Sequence, residues 1–282
     1  MLNKVMMQDK IDKLIEVYGN NDQRTDTWYL TRSNRLTASE ISKAKADASE
    51  SAKRELIMSK LVPKVNNSSG SAPSLEWGTQ FEEPAKEIFQ KQNLIEIRDL
   101  ACVIHPVYDF LGASPDGLLL CSGERHGRLI EIKCPISREI VAGPIPSSYN
   151  DQIQLQLECT GLNECEYVEF KFQKHSYADW EKMEGRVKSC FAVHNVTRKV
   201  TYKDIDDQRS IQDWCLSFMQ DRFDWDVVYW SLKDKKEVLV AKDPTWFTTN
   251  LQSFADVWKA VLNYRETGSL PPPVKNILIL DL

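Results

Sequence analysis

Ser114-Pro115-Asp116-Gly117 and, farther along, Leu129-Ile130-Glu131-Ile132-Lys133-Cys134-Pro135 decide how this chain is read. Each piece alone is ambiguous. Pro-Asp-Gly is a common turn signal, because proline presets one dihedral and glycine relaxes the next. Glu131 and Lys133 lie two apart in an otherwise apolar strand, so they share a face and could be an ordinary solvated ion pair. Placed on neighbouring antiparallel strands, the two pieces say more. Asp116 then lies beside Glu131, with Lys133 and Leu129 on the same face and Ile130 and Ile132 turned into the core. Two carboxylates converging with a backbone carbonyl make a hard-oxygen site suited to Mg2+ or Mn2+. An ion there would polarise a phosphodiester and help generate hydroxide, and Lys133 beside the water would orient it or ease its deprotonation. These residues by themselves specify a metal-dependent phosphodiesterase of open substrate.

Outward from this centre, the short β-like runs IEI, ACVIH, FLGA, GLLLC and RLIEIKC between Leu94 and Pro135 predict a meander of strands. On the N-terminal side, Ile11, Leu14, Ile15 and Tyr18 have helical spacing, ended by Gly19. Thr37 or Ser39 is a plausible N-cap for the stretch that follows, and a further helix is predicted from about Ser51 to Leu61. VPKVNNSSGSAP reads as a loop, and Ser74 to Lys91 as a helix that presents Glu82 and is kinked or interrupted at Pro84. On the C-terminal side the spacing predicts a helix over 148–161, a strand in CEYVEFKF, a hairpin in WDVVYWSLKDKKEVLVAKD and a last helix from about Pro244 to Arg265. Residues at about 175–224 read as mixed helical pieces inserted into a single domain spanning 1–282, with a polyproline and apolar tail at about 270–282.

Composition narrows the class without choosing the substrate. The 282 residues, 42% hydrophobic and 27% charged, are those of a globular protein with a real core. No apolar run is long enough to span a bilayer and no signal peptide is evident, so an intracellular, soluble protein is expected. Seven scattered cysteines suggest neither a zinc site nor a disulfide framework, and Cys159, Cys165, Cys190 and Cys215 lack iron–sulfur spacing. His105, His126, His175 and His194 fall in no nucleophile or metal motif. A net charge of −5 argues against coating nucleic acid by bulk basicity, while leaving room for a local basic groove.

Further segments fall in a telling order: Trp28-x-x-x-Arg32, Leu36-Thr37-Ala38-Ser39, Trp77-Gly78-Thr79-Gln80-Phe81-Glu82, Leu111 to Gly117, Glu131 to Pro135, and Tyr149-x-x-Gln152-x-Gln154. Over about residues 24–170 the chain resembles the phage lambda exonuclease and YqaJ-like viral recombinase family of PD-(D/E)xK nucleases. The resemblance implies a restriction-endonuclease-like α/β core, a central mixed β-sheet flanked by helices. It implies that Asp116 and Glu131 ligate Mg2+, with Mn2+ able to substitute and the Ile132 carbonyl as a third ligand. Lys133 would stand near the nucleophilic water, Glu82 would reach the same cluster directly, through water or through a second ion, and Gln152 would orient the nucleophile or a phosphate. Arg32 and Ser39 match the residues that receive a 5′-terminal phosphate, a role suited to an arginine fork and a hydroxyl near a helix start.

Plainer roles stay open at this stage. Arg32 could bridge an acidic neighbour, Ser39 could cap its helix, Glu82 beside Glu83 could belong to a solvated face, and Gln152 could be a surface amide. Trp77 reads as packing rather than base stacking. Arg35, Lys43, Lys45, Lys53, Arg54, Lys60 and Lys64 could line a duplex channel or form a solvated face. CSGERHG, between Asp116 and Glu131, is longer than a tight hairpin.

The expected activity is Mg2+-dependent exonuclease digestion of duplex DNA ends, 5′→3′, in recombination or repair. The alternatives are a structure-specific endonuclease with the same centre and a non-catalytic DNA-binding scaffold, the latter disfavoured by the intact Asp116, Glu131 and Lys133. The expected partners are double-stranded DNA, a single-strand annealing protein and further copies of the chain, with no membrane, and the resemblance suggests a viral or phage-derived gene.

Overall fold

The central strands carry apolar side chains on both faces, which obliges helices to cover both. The structure is a computed structural model describing residues 2–19, 23–62, 73–204 and 206–274. Its helices are α1 (Leu2–Tyr18), α2 (Asp26–Ser33), α3 (Glu50–Leu61), α4 (Pro73–Asn93), α5 (Ser147–Thr160), α6 (Tyr177–Glu181), α7 (Ile211–Met219) and α8 (Trp246–Thr267), with a 3-10 segment at Ala38–Ala44. Its strands are β1 (Leu36–Thr37), β2 (Glu96–Arg98), β3 (Val103–Ile104), β4 (Leu111–Ala113), β5 (Gly117–Leu120), β6 (Leu129–Lys133), β7 (Glu164–His175), β8 (Lys188–His194), β9 (Val200–Tyr202) and β10 (Trp225–Ala241).

Seven strands form one mixed sheet in the order β2-β5-β6-β7-β10-β8-β9, in which β6 and β7 pair in parallel and the other neighbours antiparallel. Side chains alternate between its faces with period two. Leu118, Leu129, Tyr167 and Val240 join the core built with α1, α3, α5 and α8. Leu119, Ile130, Ile132, Val168, Phe170 and Phe172 join a second core with Phe81 and Phe89 of α4. The central mixed sheet flanked by helices is therefore as expected from the sequence, and Ile130 and Ile132 do point into a core.

Several local expectations change. The strands between Leu94 and Pro135 are not one meander: β3 and β4 leave the main sheet to form a small one with β1, which runs parallel to β4. Residues 175–224, read as mixed helical pieces, contribute β8 and β9 to the main sheet as well as α6 and α7. The expected hairpin at 225–243 is one long strand, β10, which pairs with β8 from Trp225 to Ser231 and with β7 from Tyr229 to Ala241. The pairing with β7 runs on through the charged stretch Lys233-Asp234-Lys235, which is accommodated by a register shift between Leu232 and Asp234. Helix α4 continues through Pro84, and most of the predicted loop at 62–73 and the end of the apolar tail lie outside the described residues.

Two local features fix the approach to the site. Gly117 lies where β2 crosses, so that any Cβ there would collide with the Ile97 side chain. Gly161 ends α5 in the left-handed conformation, φ 65°, and its N–H donates to the Glu158 carbonyl at 3.3 Å.

Candidate active site

Asp116 immediately precedes β5, and its position lets its side chain do the work of the missing strand residue. Its N–H donates to the Ile130 carbonyl at 3.2 Å, and its Oδ2 accepts the Ile132 N–H at 2.6 Å. The N–H and C=O of one strand residue point to the same side, so the Ile132 carbonyl also faces the edge where β5 has ended and Asp116 stands. Glu131, one residue earlier on β6, is 1% exposed and sits on the opposite side of the strand from Ile130 and Ile132. Lys133 forms an ion pair with Glu131 Oε1 and lies 3.3 Å from Gln152 Oε1, with its ammonium over the Tyr149 ring.

Helix α5 presents amides to this strand. Gln152 donates to Glu131 Oε1 at 2.6 Å, and Gln156, one turn later, donates to Glu131 Oε2 at 2.6 Å. Gln154 lies on the other side of α5, where it donates to the Ala241 carbonyl at 3.0 Å and accepts from the Asp243 N–H at 2.7 Å. Of the three alternating glutamines, the middle one braces the end of β10 and the outer two hold a carboxylate.

The electrostatics suit a hard divalent cation. Burial, then the charges of Glu131 and Glu82, hold the Asp116 carboxyl well above the usual carboxylate range, a repulsion that a bound cation would relieve. Burial pulls the Lys133 ammonium down, but the charges of Glu131 and Asp116 outweigh it and hold its pKa above the ordinary value. Without a bound cation, Lys133 is therefore held as an ammonium by the two carboxylates. Glu82, on α4, is held by Arg24 and by Lys86, the latter at 3.3 Å. Its carboxyl lies below the ordinary range: burial alone would raise it, and the cations Lys86 and Arg24 more than offset that. Among the described residues no three acidic, histidine or cysteine side chains are grouped closely enough to hold a metal ion by themselves, and of the two carboxylates that act on Asp116, Glu131 does so more strongly than Glu82.

Arg32 forms the second part of the site. Its guanidinium donates to Ser39 Oγ at 2.9 Å, Ser114 Oγ at 3.3 Å and Thr37 Oγ1 at 3.4 Å, and stacks on Trp28, whose Nε1 donates to Ser114 Oγ at 3.1 Å. Ser39 is not the cap of the following 3-10 segment: Thr37 stands at that position, and its N–H is taken by Glu40 at 2.9 Å. Burial lowers the Arg32 pKa, yet a guanidinium remains charged at any ordinary pH.

Asp116, Glu131, Lys133, Gln152 and Glu82 line one cleft of about 1360 Å³ with Arg32, Ser39 and Ser114, together with Arg24, Arg138 and Arg198. Three of its cations already have carboxylate partners besides Lys133: Arg24 with Glu82, Arg138 with Glu169 and Arg198 with Glu76. Arg32 differs, because its partners among the described residues are hydroxyls. Trp77 packs on Phe81, with ring centroids 4.4 Å apart, as expected of a packing residue. The basic residues Arg35, Lys43, Lys45, Lys53, Arg54 and Lys60 do not line the cleft, whereas Lys64 lies outside the described residues. Lys43 pairs with Glu55, Lys45 with Asp151, Lys53 with Glu50 and Lys60 with Glu40, so these are neutralised surface and interhelix contacts.

Residues 27–163 match the family model of the YqaJ-like viral recombinase domain. This segment is similar to the YqaJ-like viral recombinase domain. The matched segment contains Arg32, Ser39, Glu82, Asp116, Glu131, Lys133, Gln152 and Gln156, while Arg24 and Arg198 lie outside it. A viral relative, the uncharacterised protein R354 of Acanthamoeba polyphaga mimivirus, is 29% identical over 177 residues, covering 57% of this chain and 31% of that protein, so the chain spans about a third of its relative's length. The fold is that of the alkaline exonuclease LHK-Exo from Laribacter hongkongensis, with a TM-score of 0.52 at 17% identity over 86% of this chain and 95% of that one. LHK-Exo in complex with dAMP gives a TM-score of 0.51 at 19% identity, with the same coverage. Neither Arg24, Gln156, Arg138 nor Arg198 was singled out from the sequence. For Gln156 the signal was present, since residues 152 and 156 share one helix face. For Arg138 and Arg198 none was, because both lie in irregular segments.

Proposed function

We propose that this chain is a divalent-metal-dependent exonuclease that digests duplex DNA from ends carrying a 5′-phosphate, in the 5′→3′ direction. The observation that carries this reading is Arg32: a cation fixed among three hydroxyls, opening on the same cleft as the Asp116–Glu131 pair. Asp116, Glu131 and the Ile132 carbonyl would hold Mg2+ or Mn2+, and Glu82 would join through water or a second ion. When bound, such an ion supplies Lewis-acid polarisation of the phosphodiester and a more acidic water.

The chain's own residues supply the rest. Lys133 can hold the attacking water or a phosphate oxygen beside Glu131. Gln152 shares Glu131 with Lys133 and can turn its amide to the same water. The Arg32 fork and the hydroxyls of Ser39 and Ser114 receive a terminal phosphate. Ser114 is only two residues from Asp116, roughly 7 Å along an extended chain, so a phosphate seated there brings the next phosphodiester to the carboxylate pair. That spacing favours removal of one nucleotide at a time over cleavage within a strand.

The reading is supported by the recombinase family and by the alkaline exonuclease fold, and it fits a role in viral DNA recombination. It is tested by incubating the protein and Mg2+ with linear duplexes bearing or lacking a 5′-phosphate and with a closed circle. Digestion of the phosphorylated linear form alone is expected; cleavage of the circle would favour an endonuclease.

A further inference from the structure

Gln156 is fully buried on α5 between Leu155 and Leu157, where an apolar side chain would fill the space without desolvating an amide. Its Oε1 finds no hydrogen-bond partner among the described residues, so the amide is not there to complete a polar network. What it does make is one bond, from Nε2 to Glu131 Oε2 at 2.6 Å. A carboxylate only accepts, so this amide must present its nitrogen.

We infer that Gln156 is a positioning residue for the metal site, fixing Glu131 so that Oε1 is the oxygen offered to the cation. The inference rests on the metal-dependent reading above. Glu131 Oε1 is shared by Gln152 and Lys133, both of which line the cleft, and can be released to an ion by small movements of either. Oε2 faces the interior of the helix–sheet contact and is held by Gln156, which does not line the cleft. With Oε2 held, the carboxylate cannot rotate when Oε1 changes partners. Without Gln156, Oε2 would be buried and bare, the ionised carboxylate would lose a donor, and its plane would be free to turn.

The test uses Mn2+ binding to the whole chain without DNA, measured by calorimetry beside thermal unfolding. Gln156→Met should weaken Mn2+ binding about tenfold. Gln154→Met removes a buried amide from the same helix that does not touch Glu131, and should lower stability while leaving Mn2+ affinity within about twofold. That split is what a merely structural role could not produce. Should Gln156→Met fail to fold, Gln156→Asn, which keeps an amide too short to reach Glu131, should show the same loss. Wild-type Mn2+ affinity in the Gln156 variant, or equal losses in the Gln154 and Gln156 variants, would overturn the inference. Glu131→Gln separates the two levels: if it too binds Mn2+ as the wild type does, the metal reading fails and this inference with it.

Discussion

Asp116 Oδ2 accepts the Ile132 N–H at 2.6 Å, so a carboxylate takes the place in the ladder that a further residue of β5 would have filled. The same bond sets Asp116 against Glu131 in a cleft, and burial together with Glu131 and Glu82 raises its carboxyl well above the usual range. A folded-state pKa above the unfolded value means that the folded chain holds the proton more tightly. The resulting stability is complete below the ordinary carboxylate range and is lost as pH rises through the raised value. In EDTA, the melting temperature of the wild type should therefore fall with rising pH relative to that of Asp116→Asn, which has no such proton to lose. Mg2+ should reverse the fall, and parallel pH curves for the two proteins would contradict it.

Arg32 makes its hydrogen bonds to hydroxyls, leaving its charge for a ligand. Arg32→Ala should reduce the preference for 5′-phosphorylated over 5′-hydroxyl duplex by about 2 kcal/mol, roughly thirtyfold in kcat/KM. Arg32→Lys should recover only part of that preference, because a point charge cannot reproduce the planar fork. Competition assays with the two duplexes would check both.

Arg24 sits at the cleft with Glu82, its side chain 43% exposed. If it also meets the DNA backbone, Arg24→Ala should lower the slope of log affinity against log salt by about one and raise KM several-fold. Binding titrations over a salt series decide this, and an unchanged slope would confine Arg24 to bracing Glu82.

Asp151, on the far side of α5 from Glu131, accepts from Trp246 Nε1 at 2.8 Å and pairs with Lys45 at 3.2 Å. Asp151→Ala would leave the buried Trp246 N–H without its acceptor and Lys45 with Asp47 alone, and should cost about 2 kcal/mol in urea unfolding. Residual activity per folded molecule should be unchanged.

The centre of this site was legible because it lies in short, contiguous segments. Asp116, Glu131 and Lys133 follow from two strands and a period of two, and Arg32 and Ser39 from a short helix and the turn after it. What escaped notice depends on tertiary context. The run Gln152 to Gln156 alternates polar and apolar residues, and only its burial against β6 separates the two amides that hold Glu131 from the one that braces β10. β10 reads as a hairpin because Lys233-Asp234-Lys235 resembles a turn, yet Lys233 pairs with Glu139 at 3.0 Å and Lys235 with Glu237 at 2.8 Å, so the charges are met without breaking the strand. β8 and β9 carry too little periodicity of their own, and they become strands by pairing with β10 and each other.

The central claim is that Asp116, Glu131 and Lys133 form a metal-dependent centre that hydrolyses DNA from its ends. The most direct measurement follows nucleotide release from a 5′-phosphorylated linear duplex, internally labelled, with Mg2+ or EDTA, for the wild type, Asp116→Asn and Lys133→Ala. Mononucleotides should appear only with Mg2+, and at least about a thousandfold more slowly in either variant. Equal release in EDTA, or wild-type rates in Asp116→Asn, would contradict the account.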